Sequence, residues 1–141
     1  MSNFKTLTGI NIQWPWSEYL LKGLKTIETR SYKLPESLKN VELAIIETPG
    51  SSGKKLAGIL KARIIGTIIF EDSFEYKTKK QWLSDYSRHL VEPDNRLFAY
   101  STKNEKWGWI VKSTIRLDRS VPPPTKRGII LAKNCKVPKV Q

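Results

Sequence analysis

The run at residues 62–70 carries Ile64, Ile65, Ile68 and Ile69, and its β-branched content and length read as a β-strand. Runs at 6–12, 25–32, 41–47, 107–112, 115–121 and 128–132 read in the same way, and the sum is about six short strands. Between them lie only brief helical stretches. Pro15 suits the first turn of a helix, where its missing N–H costs nothing. Trp16, Leu20 and Leu24 then recur at helical spacing, and Gly23 is a stop. Residues 51–58 can form a short helix, and 78–90 place Trp82, Leu83, Tyr86 and Leu90 on one face, with Thr78 as the cap. Glu71-Asp72-Ser73 reads as the end of the isoleucine strand, and Pro122 to Pro124 cannot sit in a central strand. Strands and helices do not alternate regularly, which argues against a doubly wound sheet. The expected class is α+β: a small mixed β-barrel of about six strands with two or three short flanking helices.

At 141 residues, 39% of them hydrophobic, the chain suits one core. The expected layout is a single domain over 1–132 and a basic tail over 133–141. No apolar run reaches the roughly 18 residues of a membrane span, and no apolar signal region follows Met1, so a cytoplasmic protein without membrane contact is expected. Cys135 and His89 are single examples of their kinds. An internal disulfide, a Cys/His zinc site and paired-histidine catalysis are thereby excluded, and neither metal nor cofactor is expected. An enzyme built from this chain would rely on lysine, carboxylates or hydroxyls.

The formal charge is +12, and residues 119–141 hold six basic side chains and no acidic one. Such a balance draws polyanions, of which nucleic acid is the commonest, although a solvated basic surface has the same composition. The partner expected is RNA or a nucleotide-like ligand, and a monomer is favoured over an oligomer.

The densest chemistry lies at residues 14–30. Trp14, Trp16 and Tyr19 precede Lys22, Lys25, Glu28 and Arg30 across a helix-to-strand junction. Strand alternation puts Glu28 and Arg30 on one face, about 7 Å apart at Cα, and turns Ile27 toward the core. Crowded cations lower a lysine pKa, which suits Lys25 to a nucleophile or base, or to a phosphate clamp; a plain surface ion pair is the alternative. Trp107 and Trp109 share a face, either as core residues or as a base-stacking platform, and Gly108 between them opens the opposite face to close approach. Ser101 lies just before them with a hydroxyl to offer. His89, with Asp85 one helical turn before it, reads as a surface or half-buried residue before it reads as a catalyst.

These motifs resemble the ASCH (activating signal cointegrator homology) family. Pro15-Trp16 opens a short helix, followed by Gly23-Leu24-Lys25-Thr26-Ile27-Glu28-Thr29-Arg30 in the pattern Gly-x-Lys-Thr-x-Glu-x-Arg. The strand with Ile64-Ile65-Gly66-Thr67-Ile68-Ile69, then Trp107-Gly108-Trp109-Ile110-Val111, then the prolines and Lys126-Arg127-Gly128 follow in the family's order. The resemblance spans about residues 8–132 and implies a PUA-like barrel that binds RNA or a nucleotide. Ligand contacts are then expected from Trp14, Trp16, Lys25, Glu28, Arg30, Trp107, Trp109, Lys126 and Arg127. Trp14 stands where many relatives have glutamine. Some similar proteins are hydrolases, acting on RNA or on N4-acetylcytidine, with the lysine that matches Lys25 catalytic. For that alternative, a metal-independent hydrolase, the resemblance implies Lys25 with Tyr19, Glu28 and Ser101. The acetylcytidine type carries threonine where this chain has Glu28.

Overall fold

The structure is a computed structural model that describes residues 3–125, 128 and 131–139. Six strands form one mixed sheet: β1 (Phe4–Gln13), β2 (Ile27–Arg30), β3 (Glu42–Thr48), β4 (Arg63–Glu75), β5 (Trp107–Val121) and β6 (Leu131–Pro138). Their order is β2-β5-β4-β3-β1-β6. Among the described strands only β1 and β3 run parallel, with Gly9 opposite Ala44. Four short helices sit in the connections: α1 (Trp16–Leu21), α2 (Gly50–Leu56), α3 (Lys79–Ser84) and α4 (Tyr86–His89). Among the described residues no helix is long and apolar enough to cross a membrane.

The α+β class matches the expectation, but the sheet does not close into a barrel. Closure needs a partner for β2, which has only four residues. A side chain spans the gap instead: Arg30 Nη2 donates to the Asn11 carbonyl on β1 at 2.8 Å. The sheet therefore curls until its β2 edge approaches β1, and the space enclosed becomes a cleft.

Several element boundaries differ from the sequence reading. The polar triplet 71–73 does not end the isoleucine strand; β4 continues to Glu75, and register shifts around Phe70 bend it to keep pairing with β5. The runs at 107–112 and 115–121 are one strand, because Ser113 and Thr114 pair with Ile69 and Ile68 through their backbone. The last strand covers 131–138, so residues 133–138, set apart above as a tail, lie in β6 against β1. Their alternation explains this, since Cys135 and Val137 are fully buried between exposed lysines. The helix expected at 78–90 is broken at Asp85. Thr78 does cap its first half, accepting from Gln81 N at 3.0 Å. Asp85 leaves the helical path to accept from the Tyr76 hydroxyl and from Arg88.

Ile10, Ile12, Leu20, Leu43, Ile45, Ile68, Phe70 and Trp109 form the centre of one core cluster. A second cluster, built by strands alone, buries Ala44, Ile46, Ile64 and Leu117 with Ala132, Cys135 and Val137 of β6. A smaller cluster of Ile27, Tyr76, Trp82 and Val91 joins α3 and α4 to β2. Ile27 thus points where alternation predicted, and its neighbour Glu28 turns to the cleft.

Candidate functional site

Beside β2 lies an open cavity of about 1160 Å³. Its floor comes from Asn11, Ile12 and Gln13 of β1, Thr48 of β3, and Glu28, Thr29 and Arg30 of β2. Trp16, from the first residue of α1, forms one wall. The irregular segment between α4 and β5 continues that wall with Arg96, Leu97, Phe98, Ser101, Lys103 and Lys106. A structureless connection of this length in a compact domain is usually functional. Five cationic and two acidic residues line the cavity.

Lys25 is the deepest charge. It leaves the turn after α1, where Gly23 takes a left-handed φ of +75° that an L side chain rarely adopts. The lysine side chain is only 1% exposed. Its Nζ donates to the His89 carbonyl and stands 3.6 Å from Glu28 Oε1. Burial drives its pKa down from the ordinary lysine range to about 8; Glu28 opposes this, and Arg30 and Lys106 reinforce it. Cation crowding, the cause inferred from sequence, is thus secondary to desolvation.

Arg30 Nη2 meets Glu28 Oε2 at 2.8 Å, so one carboxylate serves two cations. This is a largely desolvated network and not the plain surface pair that was the alternative. The Arg30 guanidinium carbon lies 5.7 Å from the Trp109 ring centroid, and its Nε is buried with no partner among the described residues. The Tyr32 hydroxyl is buried beside it. Burial raises the Tyr32 pKa, which keeps the phenol protonated.

Trp16 lines the cavity, its Nε1 donating to the Leu90 carbonyl at 3.0 Å and its ring edge-on to Phe98 at 5.3 Å. Trp107 and Trp109 do share a face, but it is the core face. Trp109 is fully buried between Phe70 and Tyr32, and its Nε1 donates to the Tyr32 carbonyl at 3.0 Å. Neither lines the cavity, and Trp109 has no exposed face to stack on. Gly108 is small because Ile27 and Phe74 fill the space where its Cβ would stand, at 2.9 Å each. Trp14 lies against Gly53 of α2 and also stays out of the cavity. Tyr19 is half-buried and does not line the cavity; its contribution is a backbone carbonyl that accepts from Leu24 and Lys25. Ser101 stands at the rim, exposed, accepting from Lys103 N at 3.1 Å. Lys126 and Arg127 lie outside the described residues.

Several lining residues escaped the sequence reading as site residues, Tyr32, Lys106, Phe98 and Arg96 among them. Tyr32 follows Glu28 and Arg30 at the same two-residue spacing, and that alternation is the signal for it. Lys106, Phe98 and Arg96 come from the connection 91–106, which has no periodicity to mark them. Lys106 is held by donating to the Phe98 carbonyl at 2.7 Å, and burial lowers its pKa. Among the described residues no cluster of His, Cys, Asp or Glu could hold a metal ion.

No family model matches the chain, and no curated protein matches its sequence. Solved structures do match its backbone. The ASCH protein of Zymomonas mobilis superposes with a TM-score of 0.66 at 11% identity, covering 89% of this chain and 85% of that one. Its tyrosine-to-phenylalanine variant gives 0.66, also at 11% identity, over 89% and 88% of the two chains. Its serine-to-alanine variant gives 0.65 at 11% identity over 89% and 86%. Likeness at this identity speaks for the path of the backbone, which joins the sheet order and the helix placement already described: the chain has an ASCH-like fold.

Proposed function

We propose that the cleft binds RNA or a nucleotide-like ligand. The observation that carries this reading is the Lys25–Glu28–Arg30 network at the floor of a cavity whose side wall holds Trp16 and Phe98. A planar heterocycle against Phe98 and Trp16 would bring its polar edge to Glu28 and to the unpartnered Nε of Arg30. Arg96 and Lys103 at the rim would meet phosphate. The net charge of +12 favours encounter with a polyanion. The test is the affinity of Lys25→Ala combined with Arg30→Ala for short RNAs across a salt series. The expected result is weaker binding with a shallower salt slope; unchanged affinity and slope would reject the cleft.

A second reading is favoured by the depressed pKa of Lys25. A lysine near pKa 8 is a competent general base or nucleophile at neutral pH. In a metal-independent hydrolase Lys25 would take that role, with Glu28 to orient it and Tyr32 or Ser101 as the hydroxyl groups facing the cavity. The Zymomonas protein has been crystallised as a tyrosine variant and, separately, as a serine variant. Incubation with short RNAs and with N4-acetylcytidine in EDTA separates the readings. Turnover lost in Lys25→Ala supports the enzyme, and binding without turnover supports the module.

A further inference from the structure

We propose that His89 and Leu90 are positioning residues of the cleft, holding Lys25 and Trp16 in one fixed relation through consecutive backbone carbonyls. The last carbonyls of a helix have no partner within it. At the end of α4, three in a row are taken up by the cleft elements. Arg88 O accepts from Thr26 N at 2.9 Å, His89 O from Lys25 Nζ, and Leu90 O from Trp16 Nε1 at 3.0 Å. One short stretch of backbone therefore sets the start of β2, the buried ammonium and the indole wall together.

Two features keep that stretch in place. The His89 ring is fully buried and stacked on Trp82, with centroids 4.6 Å apart and planes 11° apart. Its Nε2 lies 2.8 Å from the Trp82 carbonyl, and its Nδ1 accepts from Val91 N at 3.0 Å. A carbonyl only accepts and a backbone N–H only donates, so the ring is neutral with its proton on Nε2. Burial and the nearby Lys25 and Lys106 oppose a second proton, against the Trp82 carbonyl and Asp85. Leu90 adopts φ +56°, ψ +28°, a left-handed conformation uncommon for leucine. That turn ends α4 and directs the chain from His89 to Val91, so that the carbonyls of His89 and Leu90 both reach cleft side chains. A lone histidine and a strained leucine, neither lining the site with its own side chain in the ligand's path, thus acquire one shared role.

The proposal takes the cleft described under Proposed function as the working site, yet its main readouts need no ligand. The experiment compares Leu90→Gly with Leu90→Val by NMR of the side-chain nitrogens, together with affinity for a hexauridylate. Glycine accepts the left-handed backbone and is expected to leave the Trp16 indole resonance and the Lys25 titration, which also reports Glu28, Arg30 and Lys106, as in the parent. Valine, β-branched, is excluded from that backbone. It is expected to shift the indole signal, to raise the Lys25 midpoint by about one unit or more as its ammonium gains water, and to weaken hexauridylate binding roughly tenfold. A folded Leu90→Val with both signals in place, or with Lys25 moved and Trp16 not, overturns the proposal. Should that variant fail to fold, the parent protein decides: the Lys25 ammonium and the Trp16 indole N–H should be protected from solvent exchange to the same degree, and unrelated protection overturns the shared bracket. Absence of hexauridylate binding in the parent would reject the nucleic-acid reading while leaving the titration and exchange results to judge the bracket.

Discussion

Glu28 and Arg30, two residues apart on β2, meet at 2.8 Å, and the second oxygen of the same carboxylate faces the buried ammonium of Lys25 at 3.6 Å. The carboxylate is what makes two adjacent cations tolerable in a largely desolvated place. Glu28→Gln keeps the shape and removes the charge. It is expected to destabilise the fold by about 3 kcal/mol, because two cations are left without compensation. Lys25→Met keeps the volume and removes a buried charge, so stability should stay within about 1 kcal/mol of the parent or rise, while ligand affinity falls. Chemical denaturation of the two variants checks the contrast.

The depressed Lys25 pKa predicts how stability varies with pH. The unfolded lysine holds its proton up to 10.5, whereas the folded one releases it at about 8. Between these values the unfolded state binds more protons, so the Lys25 contribution makes stability rise as pH increases. Below pH 8 both states are protonated and the cost of burying the charge is fully present. From pH 8 to 10 the parent should gain up to about 3 kcal/mol relative to Lys25→Met. Above pH 10 the raised pKa values of Tyr32 and Tyr76 act in the opposite direction. Urea midpoints of both proteins at pH 7, 8, 9 and 10 read the difference directly.

Gly66 and Gly108 differ in what surrounds them. A Cβ on Gly66 would stand 2.5 Å from the Ile115 carbonyl, a backbone atom of the paired strand that cannot step aside. On Gly108 it would meet side-chain atoms of Ile27 and Phe74 at 2.9 Å, which can shift slightly. Gly66→Ala should cost about 3 kcal/mol and Gly108→Ala about 1 to 2 kcal/mol. Equal losses in thermal unfolding would show that the β4–β5 ladder yields as readily as a side chain.

Trp109 and Phe98 separate packing from recognition. Trp109→Ala removes a fully buried indole and should destabilise the protein by about 3 to 5 kcal/mol. Phe98 is 36% exposed at the cavity rim. Phe98→Ala should leave the unfolding midpoint nearly unchanged and weaken RNA binding by about 1 to 3 kcal/mol, the worth of one aromatic–base stack. Paired unfolding and binding curves for each variant check the division.

The sequence was most legible where periodicity and chemistry coincide. Alternation on β2 separates Ile27 from Glu28 and Arg30, and the folded chain keeps that separation. The pairing of Trp107 with Trp109 was also legible, but alternation cannot tell which face of a sheet is buried, and the core took both indoles. Open against closed topology depends on whether a four-residue edge strand finds a backbone partner, a property of distance in three dimensions. The wall built by Arg96, Phe98 and Lys106 follows no period and was hidden for that reason. So was the role of His89, whose two ring partners are backbone atoms that any residue could supply.

Titrating isotope-labelled protein with a hexauridylate and mapping the side-chain shifts shows whether the ligand enters the cleft between Trp16, Phe98 and the Lys25–Glu28–Arg30 network. Saturable changes are expected at the Trp16 indole, the Arg30 Nε, the Lys25 ammonium and the Phe98 ring. Changes confined to exposed lysines such as Lys133 and Lys136 of β6, with the cleft signals unmoved, would contradict entry into the cleft.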